Sequence, residues 1–232
     1  MRRRFTLYNS IINDPSIVEL IEFNQIDPNL IIHNELSDSQ YKVNFSYGYD
    51  LTKLLEDGGL HCGEFDENHT GVESVNPIKL NNEFTIGLCL KMNKLVTYSF
   101  LCSCRSARSV TGGAPGSGLL LALDNQGTLL FDSCGTNNRI RISSQISINT
   151  LTDIYITHDN SNNVKIYVDG KLVSDSQNVA VSNESYKLRF GFTDLYDNPG
   201  TDFILYNFCY LDKVKSNNEI LEFHNYNIKK YK

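Results

Sequence analysis

With 232 residues, 41% of them hydrophobic and 21% charged, the chain has the composition of a globular protein long enough to bury a substantial core. A formal charge of −6 and the lack of any internal basic run exclude the clustered positive surface that nucleic-acid phosphates require. No window approaches the ~18 uninterrupted apolar residues of a membrane span, and 12 Phe and 13 Tyr beside no Trp favour strands over helices.

In chain order, Arg2, Arg3 and Arg4 are followed by Phe5-Thr6-Leu7-Tyr8-Asn9 and not by the apolar run of a secretory signal, so synthesis and retention in a cytoplasm are expected. These arginines and Lys229, Lys230 and Lys232 put positive charge at both ends, read as solvated termini or as a docking arm for an acidic partner. Asp14-Pro15 and Asp27-Pro28 mark turns around residues 16–23. There Ser16 and Glu19 fit a capping box and Ile17, Leu20 and Ile21 fit one face of a short helix, although the β-branched content also permits a strand; helix is the expectation. A second short helix is expected over 50–56, stopped by Gly58-Gly59.

From about residue 58 strands follow at regular spacing. Phe84, Ile86, Leu88, Leu90 and Met92 alternate with Thr85, Gly87, Cys89 and Lys91, the period of two that lays one face on a core. Further strands are expected at 96–102, 118–124, 128–132, 139–143, 154–158, 187–193 and 202–211, with Asn125-Gln126-Gly127 as a tight connection. The sharpest signal is 164–173: Val164, Ile166 and Val168 alternate with Lys165, Tyr167 and Asp169, Asp169-Gly170 supplies a two-residue turn of positive φ, and Lys171-Leu172-Val173 returns. In 203–211 both rows are largely apolar, as in a central strand covered on both sides. Residues 216–223 read as a capped terminal helix with Ile220 and Phe223 three apart. So many short strands imply an all-β sandwich or barrel with short helices near both termini.

Six cysteines, Cys62, Cys89, Cys102, Cys104, Cys134 and Cys209, include no CxxC pair for zinc, and Cys102 and Cys104 share a strand face. Buried free thiols are expected. The sequons at Asn44, Asn68 and Asn183 read as accidents of an Asn-rich chain.

Four stretches, FTIGL at 84–88, the strand 154–158, VKIYVDGKLV at 164–173 and DFILYNFCYLDKVKSNNEI at 202–220, stand in an order that resembles the concanavalin-A-like jelly-roll domains, particularly their laminin-G-like branch. The hairpin matches that family's IYVDGKLV almost letter for letter, and the same order occurs in the jelly-roll subdomain of clostridial neurotoxin binding regions. The usual tryptophans of the first two strands are replaced by Cys89 or Leu90 and by Ile154 or its neighbours. The likeness runs over about 58–224 and implies an antiparallel jelly-roll β-sandwich domain at 58–232. Residues 1–57 are left as an N-terminal extension, an anchor or partner-binding segment.

The family's glucanases carry two working carboxylates in an E-x-D-x-x-E strand, whereas here Glu64 and Asp66 are followed by His69 in the third position. Glycoside hydrolysis is therefore not supported, and no catalytic residue is expected. The loop 103–118 carries Arg105 and Arg108; Leu119 stands where a phosphate-loop lysine would, so this is a surface loop open to a ligand or partner role. Asp194, Tyr196, Asp197, Asn198 and Asp202 gather carboxylates, an amide and an aromatic ring between two strands, the groups that bond sugar hydroxyls and stack on a sugar face. Asp194, Asp197 and Asp202 are also candidate calcium ligands, as in several relatives, against an ordinary Asp/Asn/Gly turn; no other cofactor is expected. His33, His61, His69, His158 and His224 form no catalytic set, His158 reads as a hydrogen-bonded inner residue, and Asp153 and Asp159 flank its strand. The expectation is a non-enzymatic attachment module that contacts a glycan or protein partner through rim loops. It would be an oligomer or part of a larger assembly, and a virus or phage particle suits the Asn-, Ile- and Lys-rich composition. A purely structural decoration protein and a free lectin are the alternatives.

Overall fold

The computed structural model describes residues 14–23, 31–33, 38–45, 55–65, 68–96, 99–106, 118–133, 138–182, 184–191 and 201–232. Among the described residues the first elements are β1 (Ile17–Glu22), β2 (Ile31–His33) and β3 (Gln40–Phe45). Next come β4 (Leu55–Glu56), β5 (Gly59–Phe65), β6 (Asn68–Ser74), β7 (Ile78–Lys79) and the long β8 (Phe84–Lys94). β9 (Ser99–Arg105), β10 (Gly118–Leu123), β11 (Thr128–Ser133), β12 (Asn138–Gln145) and β13 (Leu151–His158) follow. β14 (Val164–Val168), β15 (Lys171–Ser176), β16 (Ser185–Tyr186), β17 (Leu188–Phe190) and β18 (Asp202–Leu211) then lead into a terminal helix, α1 (Asn217–Tyr231).

One antiparallel sheet runs in the order β12-β11-β10-β9-β17-β6-β5-β18-β8-β13-β14-β15, with β1 joined to β18, β3 and then β2 to β6, and β4 to β5. β7 and β16 form a separate pair. The two ends of the path, β12 and β15, come into contact, so the sheet rolls over on itself as a jelly-roll sandwich. Its inner rows meet in one core, where Phe84, Leu88, Leu119, Leu121, Phe131, Ile156 and Phe208 are all fully buried. Phe190 packs edge-on against Phe208, ring centroids 5.0 Å apart, and against Phe23 at 5.7 Å.

The hairpin 164–173 forms as its residues dictate, Asp169 and Gly170 taking φ of 50° and 71°. β18 is covered on both faces, and a bulge between Leu205 and Asn207 explains how. Phe203 and Leu205 face the core before it and Phe208 and Tyr210 after it, so Tyr206 and Asn207 are both left facing outward. All five described cysteines are free thiols; Cys134 lies outside the described residues. His158 is an inner hydrogen-bonded residue, its ring nitrogens 2.6 Å and 3.1 Å from the carbonyls of Asn82 and Val179.

Two expectations need correction. Residues 17–22 are a strand, not a helix, because Ile17, Val18 and Ile21 favour extended backbone and β1 continues along the side of β18 that β5 leaves at Leu205. The expected cap partners separate: Ser16 bonds Asp14 at 2.6 Å, and Glu19 accepts from Ser39 at 2.8 Å and Tyr41 at 3.1 Å. Of the helix expected over 50–56, Leu55 and Glu56 form β4, and 50–54 lie outside the described residues. The sheet therefore takes in strands from both sides of residue 57.

The capping box that does form is at Ser216, whose hydroxyl accepts from Glu219 N while Glu219 Oε2 accepts from Ser216 N at 2.8 Å. From there α1 runs to Tyr231, eight residues past the expected 223, and lies across the outer face over β13 and β15. Lys229 and Lys230 complement the negative end of the helix, and Lys230 pairs with Glu22 of β1. The basic C-terminus is thus partly a helix end and partly an anchor; Arg2 to Arg4 lie outside the described residues.

Candidate functional site

The last strand in the chain, β18, begins at Asp202, and its neighbours fix where that carboxylate stands. In β5, Leu60 and Cys62 point into the core, so His61 between them points outward; in β8, Asn93 follows core-facing Met92 and points the same way. β18 pairs with both strands, Asp202 lying opposite Gly63 on one side and Lys94 on the other. Gly63 is needed for this approach: its φ is 105°, and a Cβ there would lie 1.8 Å from the Thr201 carbonyl oxygen.

The result is a fixed carboxylate at the rim. Asp202 Oδ1 accepts from His61 Nε2 at 2.5 Å and from Asn93 Nδ2 at 2.9 Å. The His61 side chain is 1% exposed and that of Asp202 16%, so the imidazole holds the carboxylate from beneath while the carboxylate meets solvent. Asp202 Oδ2 accepts no side-chain or backbone hydrogen bond from the described residues and is free for an incoming donor. Burial pushes the Cys62 thiol on the inner side well up, with the Asp202 charge adding to it, so Cys62 is not a nucleophile at neutral pH.

Of the residues picked out from the sequence, Asp202 stands in this arrangement. Asp194, Tyr196, Asp197, Asn198 and Arg108 lie outside the described residues, and with Asp194 and Asp197 two of the three candidate calcium ligands. Among the described residues no cluster of three His, Cys, Asp or Glu could hold a metal ion. Arg105 is half-buried at the end of β9, one residue past the Cys104–Leu188 pair, whereas Asp202 is level with Gly63 and Thr70. By the register the two stand about 15 Å apart along the strands and further apart across them, so they do not share a site. Glu64 and His69 pair across the β5–β6 hairpin; Asp66 lies outside the described residues.

Sequence reading missed His61 and Asn93, because nothing local in either segment signals a pairing 141 or 109 residues away. It also misread Asp153 as a flank of β13. This residue is fully buried under α1, where Oδ2 lies 2.8 Å from His224 Nδ1 and Oδ1 accepts from Asn227 Nδ2 at 2.8 Å. Asn207 donates to Asn227 Oδ1 at 2.7 Å, so the bulge in β18 supplies the last member of a buried network that locates the helix.

The family profile of the concanavalin A-like lectin/glucanases superfamily, in its laminin-G-like branch, matches residues 66–220. No curated protein sequence matches the chain. Among solved structures, botulinum neurotoxin type C, whose cell entry is described as dependent upon interaction with two ganglioside molecules, is similar over 94% of this chain and 52% of its own, with a TM-score of 0.67 and 15% identity. The binding domain of botulinum neurotoxin DC, solved with rat synaptotagmin II, is similar over 93% of this chain and 52% of its own, at TM-score 0.66 and 15% identity. A Trypanosoma rangeli sialidase in complex with sialic acid is similar over 92% of this chain and 33% of its own, at TM-score 0.67 and 12% identity. The chain thus spans about half the length of the toxin chains and a third of the sialidase. At such identities the likeness is one of fold, and it adds nothing to the expectation of a virus or phage particle.

Proposed function

We propose that this chain, which belongs to the concanavalin A-like lectin/glucanases superfamily, is a non-enzymatic binding module that takes a glycan or protein partner at the rim around Asp202. The observation that carries the reading is the Asp202 carboxylate, anchored through one oxygen by His61 and Asn93 and open at the other. A pre-placed acceptor bonds a sugar hydroxyl or a backbone N–H without first being ordered, which lowers the entropic cost of binding. The segment 192–200, one residue before Asp202 in the chain, supplies Tyr196 and Asp197 as further candidates for contact.

Similar folds have been solved with partners of both kinds, SialylT and synaptotagmin for toxin DC and sialic acid for the sialidase. A binding reading suits the site better than a hydrolytic one. The partners of Asp202 are an imidazole and an amide rather than a second carboxylate, and a ring 1% exposed cannot reach a substrate to move its proton.

Asp202→Asn tests this directly, because the amide oxygen can still accept from His61 and Asn93 while the open position changes from acceptor to donor. On a glycan array the variant should lose about tenfold or more of the wild-type signal, the cost of one charged hydrogen bond, with an unchanged thermal midpoint. Equal binding by the variant would overturn the assignment.

A further inference from the structure

At the opposite end of the same outer face lies a second recess, and it does not depend on the reading of Asp202. Asp202 is level with Lys94 on β8 and Thr157 with Thr85, nine positions away, a separation of about 30 Å along the strands. The recess measures about 300 Å³ and is floored by Thr157 of β13 and by Lys165 and Tyr167 of β14. Its walls are the turn carrying Asp159 and Asn163 and the entry of α1 at Asn217. Lys165 and Tyr167 are the outward row of the hairpin whose inward row, Val164, Ile166 and Val168, enters the core.

The hydrogen-bonding capacity here is of both kinds and partly unspent. Thr157 is only 2% exposed, yet its hydroxyl makes no hydrogen bond to any described residue. Asn217 Oδ1 accepts from Tyr167 OH at 2.7 Å, which leaves the amide protons of Asn217 to donate. Asn163 Nδ2 donates to Asp159 Oδ2 at 2.9 Å, which leaves the side-chain carbonyl Oδ1 of Asn163 to accept. The charges, by contrast, are already matched or outnumbered. Lys215, 2% exposed, is paired with both Asp14 and Glu219, and Lys165 lies 3.8 Å from Asp175. Within the lining Asp159 and Glu219 equal Lys165 and Lys215 in number, and Asp14 and Asp175 outside it pair with the same two ammonium groups, so no unmatched cation is left for an anionic ligand.

We propose that this recess binds a single uncharged sugar ring, whose hydroxyls donate and accept in turn, and that it discriminates against acidic sugars. Its volume is at the lower limit of small-molecule pockets, roughly 300 Å³, which suits one ring and not an extended chain. Tyr167 is 1% exposed, so its ring gives a ligand no face to stack on and recognition rests on hydrogen bonds.

The test is saturation-transfer NMR on the full chain with the methyl glycosides of glucose, galactose and mannose, and with N-acetylneuraminate as the acidic probe. At least one neutral glycoside should bind, N-acetylneuraminate should bind at least about tenfold more weakly, and Thr157→Val should weaken the neutral ligand about 3- to 10-fold, the loss of one hydrogen bond. Asn217→Ala, at an exposed helix position, should do the same if Thr157→Val disturbs folding. Asp202→Asn should leave this binding unchanged, which separates the recess from the rim. Failure of all three glycosides to bind, equal binding of N-acetylneuraminate, or insensitivity to both recess variants would overturn the proposal.

Discussion

The two faces of the central strands β13, β8 and β18 are built on different principles. Apart from His158 at the end of β13, the inner face is built of apolar side chains, with Ile154, Ile156, Leu88, Leu90, Phe203 and Phe208 in one continuous cluster. The outer face, under α1, has two small apolar patches, Tyr155 with Phe223 and Ile220, and Ile204 with Tyr206, separated by the polar network of Asp153, His224, Asn227 and Asn207. Apolar burial is non-directional and holds many arrangements equally well, whereas a buried carboxylate accepts only the register that supplies its donors. The inner face holds the roll together; the outer face determines where the helix lies.

The largest effect should come from the inner face. Phe208→Ala is expected to destabilise the fold by about 3–5 kcal/mol, through lost transfer energy and a cavity beside Phe190, measurable by chemical denaturation. Asp153→Ala should cost about 3 kcal/mol, because it leaves the half-buried His224 without its acceptor and the buried Asn227 amide with Tyr155 OH alone. Unlike the first variant, it should release α1 ahead of global unfolding, seen as faster amide exchange in 217–231 than in β8. Gly170→Val should cost roughly 1 kcal/mol or more for its positive φ, and a Cβ there would also sit 3.0 Å from Leu221 and 3.3 Å from His224, so the damage should extend to the helix.

The smallest and most specific effect is on pH dependence. The hydrogen bond to Asp153 raises the His224 pKa above its ordinary value, and burial raises that of Asp153, so both shifts favour the protonated pair. A raised folded-state value means that the His224 contribution is complete below the unfolded pKa of about 6.5 and is lost as pH rises through the folded one. Asp169 and Lys171, on the turn beneath, act on His224 in opposite senses. Helix stability should therefore fall as pH rises above about 6.5 in the wild type and stay flat in that interval in His224→Gln. The same fall in both would remove His224 as the cause.

What was legible in the sequence is what depends on near neighbours. The hairpin 164–173 carries its own turn, and the alternation in 84–92 names its own inner face, so these needed no tertiary information. Residues 17–22 were ambiguous because their periodicity is short, and only the free side of β18 decides for a strand. Asn227 and Asp153 look like solvent-facing residues in sequence because burial of either makes sense only with the other present. The rim site was half visible: Asp202 drew attention as part of a carboxylate cluster, while His61 and Asn93 reach it only through two long-range strand pairings.

The central claim, that the carboxylate held by His61 and Asn93 is a binding group, is tested most directly by mapping amide chemical shifts of the labelled chain during titration with a ligand found on the array. The largest changes should fall on Asn93, Lys94, Thr201 and Asp202 and vanish in Asp202→Asn. Changes confined to the opposite end of the sheet, or unaltered by that substitution, would contradict it.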